Sequence, residues 1–551
     1  MSTTSFGRAN WLLLILLFLS IAPGGAQAFG PGQHINQFLS WLFADHPRVL
    51  DVEAILTTIA FVHGKKWAPD VIKRVYFGNW LRDYSQALDF TSLRNVDEAS
   101  HRVVISVLSL MAFGFSLNGF DISKTSLGVY RPEEHVHNPK NYACDISDPR
   151  TWDPRLRGPV SPTEIAVDPR TGMKNYIANE SGGWATSAGY LRFSIARCIH
   201  FGRIYLCGGN KSGRPEDVDE SLRCLGQALH CLEDFSANSN YCELALLELG
   251  YSTAFPHCGS STRMRVSGKN VYPLVTGMMG TGNFLQSVSS ELDQLDTALK
   301  IAGEEMAFRS RRLSGFLDRL SRAGMASPDL DDAYAMVGSE SKKVAVSDQS
   351  LDDELVLKNI RAVLELGDKI AKFVHGNPRL QEKFDETLTV FVLGLLAPFV
   401  RPVIATVTKA LREASSRATS DSKLHQFDPW DDSKCTDPTH SMLSKDPITN
   451  ILNECAGRVA ATIVQYTVPR ILYAWEHPAV PVDEVANDIL RCLHHPATRD
   501  PRVQIQRNMY ATVEKWVDDR SLDTKLPDIL SSDSVKALRN HVDGVRGWGS
   551  P

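Results

Sequence analysis

The chain has 551 residues, 43% hydrophobic and 22% charged, with a formal net charge of −5. That length suits about two to four domains, or one large helical body with a satellite, and the composition is globular with room for a sizeable core. The mildly acidic balance excludes a broad basic footprint for nucleic acid.

The N-terminus places Arg8 before the short apolar run "WLLLILLFLSIA", Trp11 to Ala22, and then Ala26-Gln27-Ala28. A basic start, a short apolar centre and an A-x-A site define a secretory signal peptide over residues 1–28, with a mature chain from Phe29. The apolar run is short for a membrane span. The expected location is the secretory pathway, then the exterior, the cell wall or the plasma membrane. Ten cysteines fit an oxidising compartment and disulfides, although spacing does not give their pairing. Cys224 and Cys231 cannot pair if one helix carries both, because they would lie ~10 Å apart along its axis. Sequons at Asn179 and Asn210 fit a glycoprotein.

Helical periodicity dominates the rest. "APDVIKRVYFGNWLRDYSQAL" predicts a helix from about Pro69, a residue suited to a first turn. "EASHRVVISVLSLMAFGFSL" predicts a buried helix. Residues 121–183 are rich in Pro, Gly, Asp and Asn, with aromatics interspersed, and read as an ordered loop-rich insertion or a small β-hairpin element. Helices resume from Thr186 to about Cys207 and from Pro215 to about Phe235. A long one over about 285–323 carries Leu292, Leu295, Leu299, Ala302 and Met306 at helical spacing, which fits either a coiled-coil partner surface or packing within the chain. The basic stretch "FRSRRLSGFLDRLSR" fits a solvated face or contact with anionic lipid. Residues 324–353 are small, polar and acidic, a linker. "LTVFVLGLLAPFV", Leu388 to Val400, is read as a core helix ended by Arg401 and Pro402, with a membrane-inserting hairpin as the other reading.

One stretch carries candidate chemistry. "ALHCLEDFSANSNYCELALLELG" holds His230 and Asp234 one helical turn apart, then Asn238, Asn240 and Glu243. Side chains at i and i+4 project over the same turn and can reach one ion, and imidazole with carboxylate suits zinc. Gly226 leaves room beside the imidazole. Asp83 sits among Phe77, Trp80 and Tyr84, sharing a face with Asn79 and Tyr76. "RPEEHVHNP" offers His135 and His137, and "DPTHSMLSKD" offers His440 and Asp446. The sequence has no G-x-S-x-G, P-loop, G-x-G-x-x-G, H-E-x-x-H or C-x-x-C motif.

"RVYFGNWLRDYSQALD", "YRPEEHVHNPKNYA", "DPRTGMKNYIAN", "ALHCLEDFSANSNYCELAL" and "DPTHSMLSKDPITNILNECAG" together resemble the fungal heterokaryon incompatibility protein Het-C family over about 70–455, and more weakly over most of the mature chain. The resemblance implies a secreted or membrane-associated protein of nonself recognition after hyphal fusion, with self or allelic Het-C-like proteins as partners and a membrane surface as a further contact. It divides the chain into a helical domain over 29–323, the linker, and a C-terminal helical region over 354–546. The expected fold is mostly α, a multi-helix body distantly similar to the helical zinc phospholipase C and nuclease fold. By that similarity Asp83, His230 and Asp234 are the first candidate zinc ligands, His135 and Glu243 the next, and the amine of Phe29 a further one. The alternative function is a metal-dependent phosphodiesterase or phospholipase C-like hydrolase. The chain departs from the pattern where Asn238 and Pro447 stand in place of histidines. That favours recognition, or a metal site that only holds helices together, over catalysis.

Overall fold

The computed structural model describes residues 52–113, 122–207, 212–278, 281–308, 378–447, 449–520 and 525–541, with scattered positions between them. The signal segment, Phe29, Asn210, the linker and most of the basic stretch lie outside these residues.

The described chain is mostly helical. α1 (Val52–Ile59) leads into a minimal antiparallel hairpin, β1 (Phe61–Val62) and β2 (Lys65–Lys66), with Phe61 opposite Lys66. α2 (Pro69–Ser85) begins at its proline, whose missing N–H costs nothing in a first turn. α3 (Phe90–Asn95) is capped by Asp89, which accepts the Ser92 N–H at 2.6 Å. α4 (Glu98–Phe113) follows. The insertion is built from turns and short helical pieces, and its only strand-like feature among the described residues is bridging, as in Val167 opposite Lys174. Then come α5 (Ser187–Cys207), α6 (Pro215–Ala237) and α7 (Tyr241–Glu248). Cys224 and Cys231 both ride on α6, so they cannot pair. A second hairpin, β3 (Met264–Val266) with β4 (Lys269–Val271), precedes α8 (Thr281–Phe308) and α9 (Pro378–His425). α10 (Asn453–Glu476), α11 (Val482–Leu490) and α12 (Gln504–Asp518) complete the set.

Two apolar cores organise these helices. One gathers α4, α8, α9 and the aromatic face of α2: Phe77, Trp80 and Tyr84 pack with Leu292, Leu295, Val400 and Leu411. The other gathers α5, α6, α7, α10 and α12, including Leu225, Leu229, Ile463 and Trp516. Both draw on residues that precede and residues that follow positions 324–353. The stripe of α8 is covered by α9, which selects packing within the chain over a coiled-coil partner.

The expected end at Arg401 and Pro402 is not observed. α9 runs through Pro398 and Pro402 to His425. Each proline removes a helical hydrogen bond at a cost of about 3 kcal/mol. Val392, Leu396, Val400, Ile404, Val407 and Leu411 are buried along the same helix, and at about 1.5–3 kcal/mol each their burial outweighs that cost. By length and composition α9 could cross a membrane, but 72% of its most apolar window is buried inside the protein. That is how a core helix is placed.

Candidate metal centre

α6 lies at the centre of the site because α2 crosses it in backbone contact. A Cβ on Gly226 would meet the Val75 carbonyl oxygen at 2.0 Å, and one on Gly78 would meet the Arg223 carbonyl oxygen at 2.3 Å. The space at Gly226 is therefore filled by the α2 backbone, not left beside the His230 imidazole. This crossing brings Asn79 to Glu233, 3.4 Å apart, and sets Asp83 close enough to act electrostatically on His230 and Asp234.

The insertion supplies the next ligand. Residues Pro132–Glu134 form one helical turn, and Val136 then adopts φ +53°, a strained conformation for a β-branched residue. The turn presents the rings of His135 and His137 stacked, with centroids 5.5 Å apart. Buried ion pairs hold it from behind. Arg82 binds Glu134 at 2.5 Å and the carbonyls of Ser126 and Leu127. Arg157 binds both Glu133 and Glu164.

His135 Nδ1 and His230 Nε2 lie 2.9 Å apart. Asp234 Oδ2 is 3.2 Å from His230 Nε2 and 3.6 Å from His135 Nδ1. Two imidazoles and a carboxylate thus meet at one point. Donors around a tetrahedral zinc with ~2.0–2.1 Å bonds lie about 3.3 Å apart, so this donor set fits one such ion. Burial and the neighbouring His230 keep His135 well below the usual imidazole range, so its imidazole is neutral, the form that could hold a metal. Burial also pulls His230 down, but the carboxylates of Asp234 and Asp83 more than reverse this and hold it up at about 9. Burial pushes Asp234 up to about 6, against the pull of His230. At neutral pH, without an ion, His230 and Asp234 form an ion pair.

The remaining expectations fall differently. Glu243 is not in the cluster: Oε1 accepts Lys445 Nζ at 2.8 Å and stands 3.4 Å from His257 Nε2, all three groups being buried. Loss of that carboxylate would strand the lysine, so Glu243 serves the ion pair. His137, His440 and Asp446, which the sequence offers only as scattered ligand types, sit beside the cluster. The His137 and His440 rings are 4.9 Å apart, and His440 Nε2 is 3.6 Å from Asp446 Oδ2. Asn238 joins them, its amide reaching the His135 carbonyl at 3.2 Å and His137 Nε2 at 3.5 Å.

The extended segment 274–278 zips these loops together. Its Gly277 carbonyl accepts Asn138 N–H at 2.9 Å, Gly277 N–H donates to Asn238 at 3.2 Å, and His440 N–H donates to Met278 at 2.8 Å. Gly277 must lack a side chain, since a Cβ there would lie 2.5 Å from His440 Cα. No spacing rule marks such a segment. Only its contacts reveal it.

A family model described as "Heterokaryon incompatibility protein Het-C" matches residues 11–544. No curated protein matches the chain, and no solved structure does.

Proposed function

Because the chain belongs to the Het-C heterokaryon incompatibility family, we propose that it acts in fungal nonself recognition as a secreted or membrane-associated helical protein. Membership in that family supports a role in heterokaryon incompatibility, and the match across residues 11–544 is the observation that carries the reading. Self or allelic copies are the proposed partners. Co-expression with a divergent allele is expected to arrest growth or kill the cell. Indifference to a panel of divergent alleles would overturn the reading.

The buried cluster supports a metal-bearing form of this protein. His135 Nδ1, His230 Nε2 and Asp234 Oδ2 would hold one zinc ion, with Asp83 adding negative charge beside it. The same cluster favours a second reading, a phosphodiesterase or phospholipase C-like hydrolase, because bound zinc makes water more acidic and stabilises phosphoryl charge. In that reading His137, His440 and Asp446 stand beside the ion. Chelator-sensitive hydrolysis of phosphatidylcholine or a model phosphodiester, lost in Asp234→Asn, is the expected result. Absence of turnover in zinc-replete protein would leave recognition or helix-holding as the role of the centre. Gain of turnover in Asn238→His would identify a hydrolase that has lost a ligand.

A further inference from the structure

A surface turn ahead of α5 plays no part in the metal centre. The short helix Asn175–Ala178 ends at Asn179, and a single helical turn, Glu180–Gly182, follows it. Asn179 Oδ1 accepts the Ser181 N–H at 3.2 Å and the Ser181 hydroxyl at 2.6 Å. Asn179 Nδ2 donates to Asn175 Oδ1 at 2.8 Å. Asn179 is half-buried, while Glu180, Ser181, Gly182 and Gly183 are all exposed. Gly183 leaves the turn at φ +76°, and a Cβ there would meet nothing within 4 Å, so open space lies beside it. Arg192, on α5, pins the turn by holding both carboxylate oxygens of Glu180 at 2.9 and 2.8 Å.

Asn179-Glu180-Ser181 has the acceptor pattern for N-linked oligosaccharide. The pattern recurs by chance, and its place in the fold decides whether a chain carrying the sugar can still close its core. A bulky, hydrated oligosaccharide needs the surface, because burying its hydroxyls without partners would cost several kcal/mol, of order 1–3 for each. Here the acceptor stands at the rim of an exposed turn with open space beside it. The hydrogen bonds that shape the turn run only between residues 175, 179 and 181. Such local side-chain bonds can form before the tertiary structure does. In this turn the asparagine amide and the serine hydroxyl, the two groups that define the acceptor, are already in contact. Of the two hydrogens on Asn179 Nδ2, the turn uses one.

We propose that Asn179 carries an N-linked oligosaccharide when the chain enters the secretory pathway. The donor is a lipid-pyrophosphate-linked oligosaccharide. The bond between its anomeric carbon and the pyrophosphate oxygen breaks, and a bond from that carbon to Asn179 Nδ2 forms. Nδ2 gives up one proton, and the lipid pyrophosphate leaves. The glycan stands beside the start of α5, where Arg192 fixes the turn. It depends on the secretory part of the proposed function, and on neither the metal centre nor the partner.

The test expresses two forms of the full chain in a fungal host, one with its own leader and one with residues 1–28 replaced by an established secretion signal. Chain from the medium and from sealed, protease-treated microsomes is digested with trypsin, then with peptide N-glycosidase in heavy-oxygen water. Residues 175–192 come off as one fragment, since no Lys or Arg lies between Lys174 and Arg192, and mass spectrometry reads its sequence. The expected product has heavy aspartate at position 179 and unchanged asparagine at position 175. The label is expected to vanish in Asn179→Gln and in Ser181→Ala and to persist in Ser181→Thr. Label behind the replacement signal alone would keep the site and overturn the secretory reading of residues 1–28. Unmodified Asn179 in lumenal or secreted chain carrying the replacement signal would overturn the proposal, whatever the state of Asn210.

Discussion

The His135–His230–Asp234 cluster and the α8–α9 pair are both buried, but opposite forces assemble them. In the helix pair, apolar side chains at helical spacing meet along two continuous stripes, and burial alone favours contact. In the centre, imidazoles and carboxylates from three separate stretches are driven together against their own desolvation. The first region needs only a pattern. The second needs a scaffold: the Gly78–Gly226 crossing, the strained turn at Val136, and the buried arginines behind it. Breaking the scaffold should therefore cost both stability and metal, whereas breaking the stripe should cost stability alone.

The largest effect is expected from Arg157→Ala. It leaves Glu164 buried without its ion partner and Glu133 with Arg131 alone, a loss of about 3–5 kcal/mol. Urea unfolding should show it, and zinc content should fall with it as the turn carrying His135 loosens. A loss below about 1 kcal/mol would mean that these pairs do not hold the turn. Next is Leu295→Ala, which opens the α8–α9 stripe at a fully buried position and should cost about 3 kcal/mol. Its zinc content should match wild type, and a parallel loss of metal would erase the distinction between the regions.

Removal of the ion comes third. Elemental analysis is expected to find one zinc per chain, and chelation should lower stability by about 2.7 kcal/mol relative to free zinc at 100 times its Kd. His230→Ala should abolish both the metal and the response to chelator. Metal-free wild-type protein with the melting curve of His230→Ala would remove zinc from the account.

The smallest effect concerns Asp89, at the start of the helix that packs on α9. Burial pushes its carboxyl up to about 6, above an unfolded value of about 3.9. The folded state then binds the proton more tightly, so stability falls as pH rises from about 4 to about 6 and the deficit persists at neutral pH. Asp89→Asn keeps an acceptor for the Ser92 N–H and removes the buried charge. It should raise stability at pH 7, by well under the roughly 3 kcal/mol that such a shift spans because Asp89 is only half-buried, and flatten the pH dependence in that window. Thermal melts across pH 4–7 would show it.

Much of the fold is legible in the sequence because helices announce themselves locally. Pro69 and Pro215 mark starts, and the Leu292–Leu295–Leu299 spacing marks a buried face. The His230–Asp234 turn is legible for the same reason, since i and i+4 share a face on any helix. Pro402 misleads because local propensity argues for a stop, while the burial of α9 on both sides of it decides otherwise. Gly226 misleads in the other direction, since only the packed structure shows that a backbone fills its space.

By itself, then, the sequence determined that this is a helical chain with a His–Asp turn on a central helix and the motifs of the Het-C family. Tertiary structure alone decided which other groups meet that turn. It brought in His135 across 95 residues and set His137 and His440 beside it. It turned Glu243 away to Lys445. Periodicity encodes which face of an element is buried. It does not encode which distant face arrives there, because that depends on close helix crossings, strained turns and buried ion pairs whose energies exist only after the chain has folded.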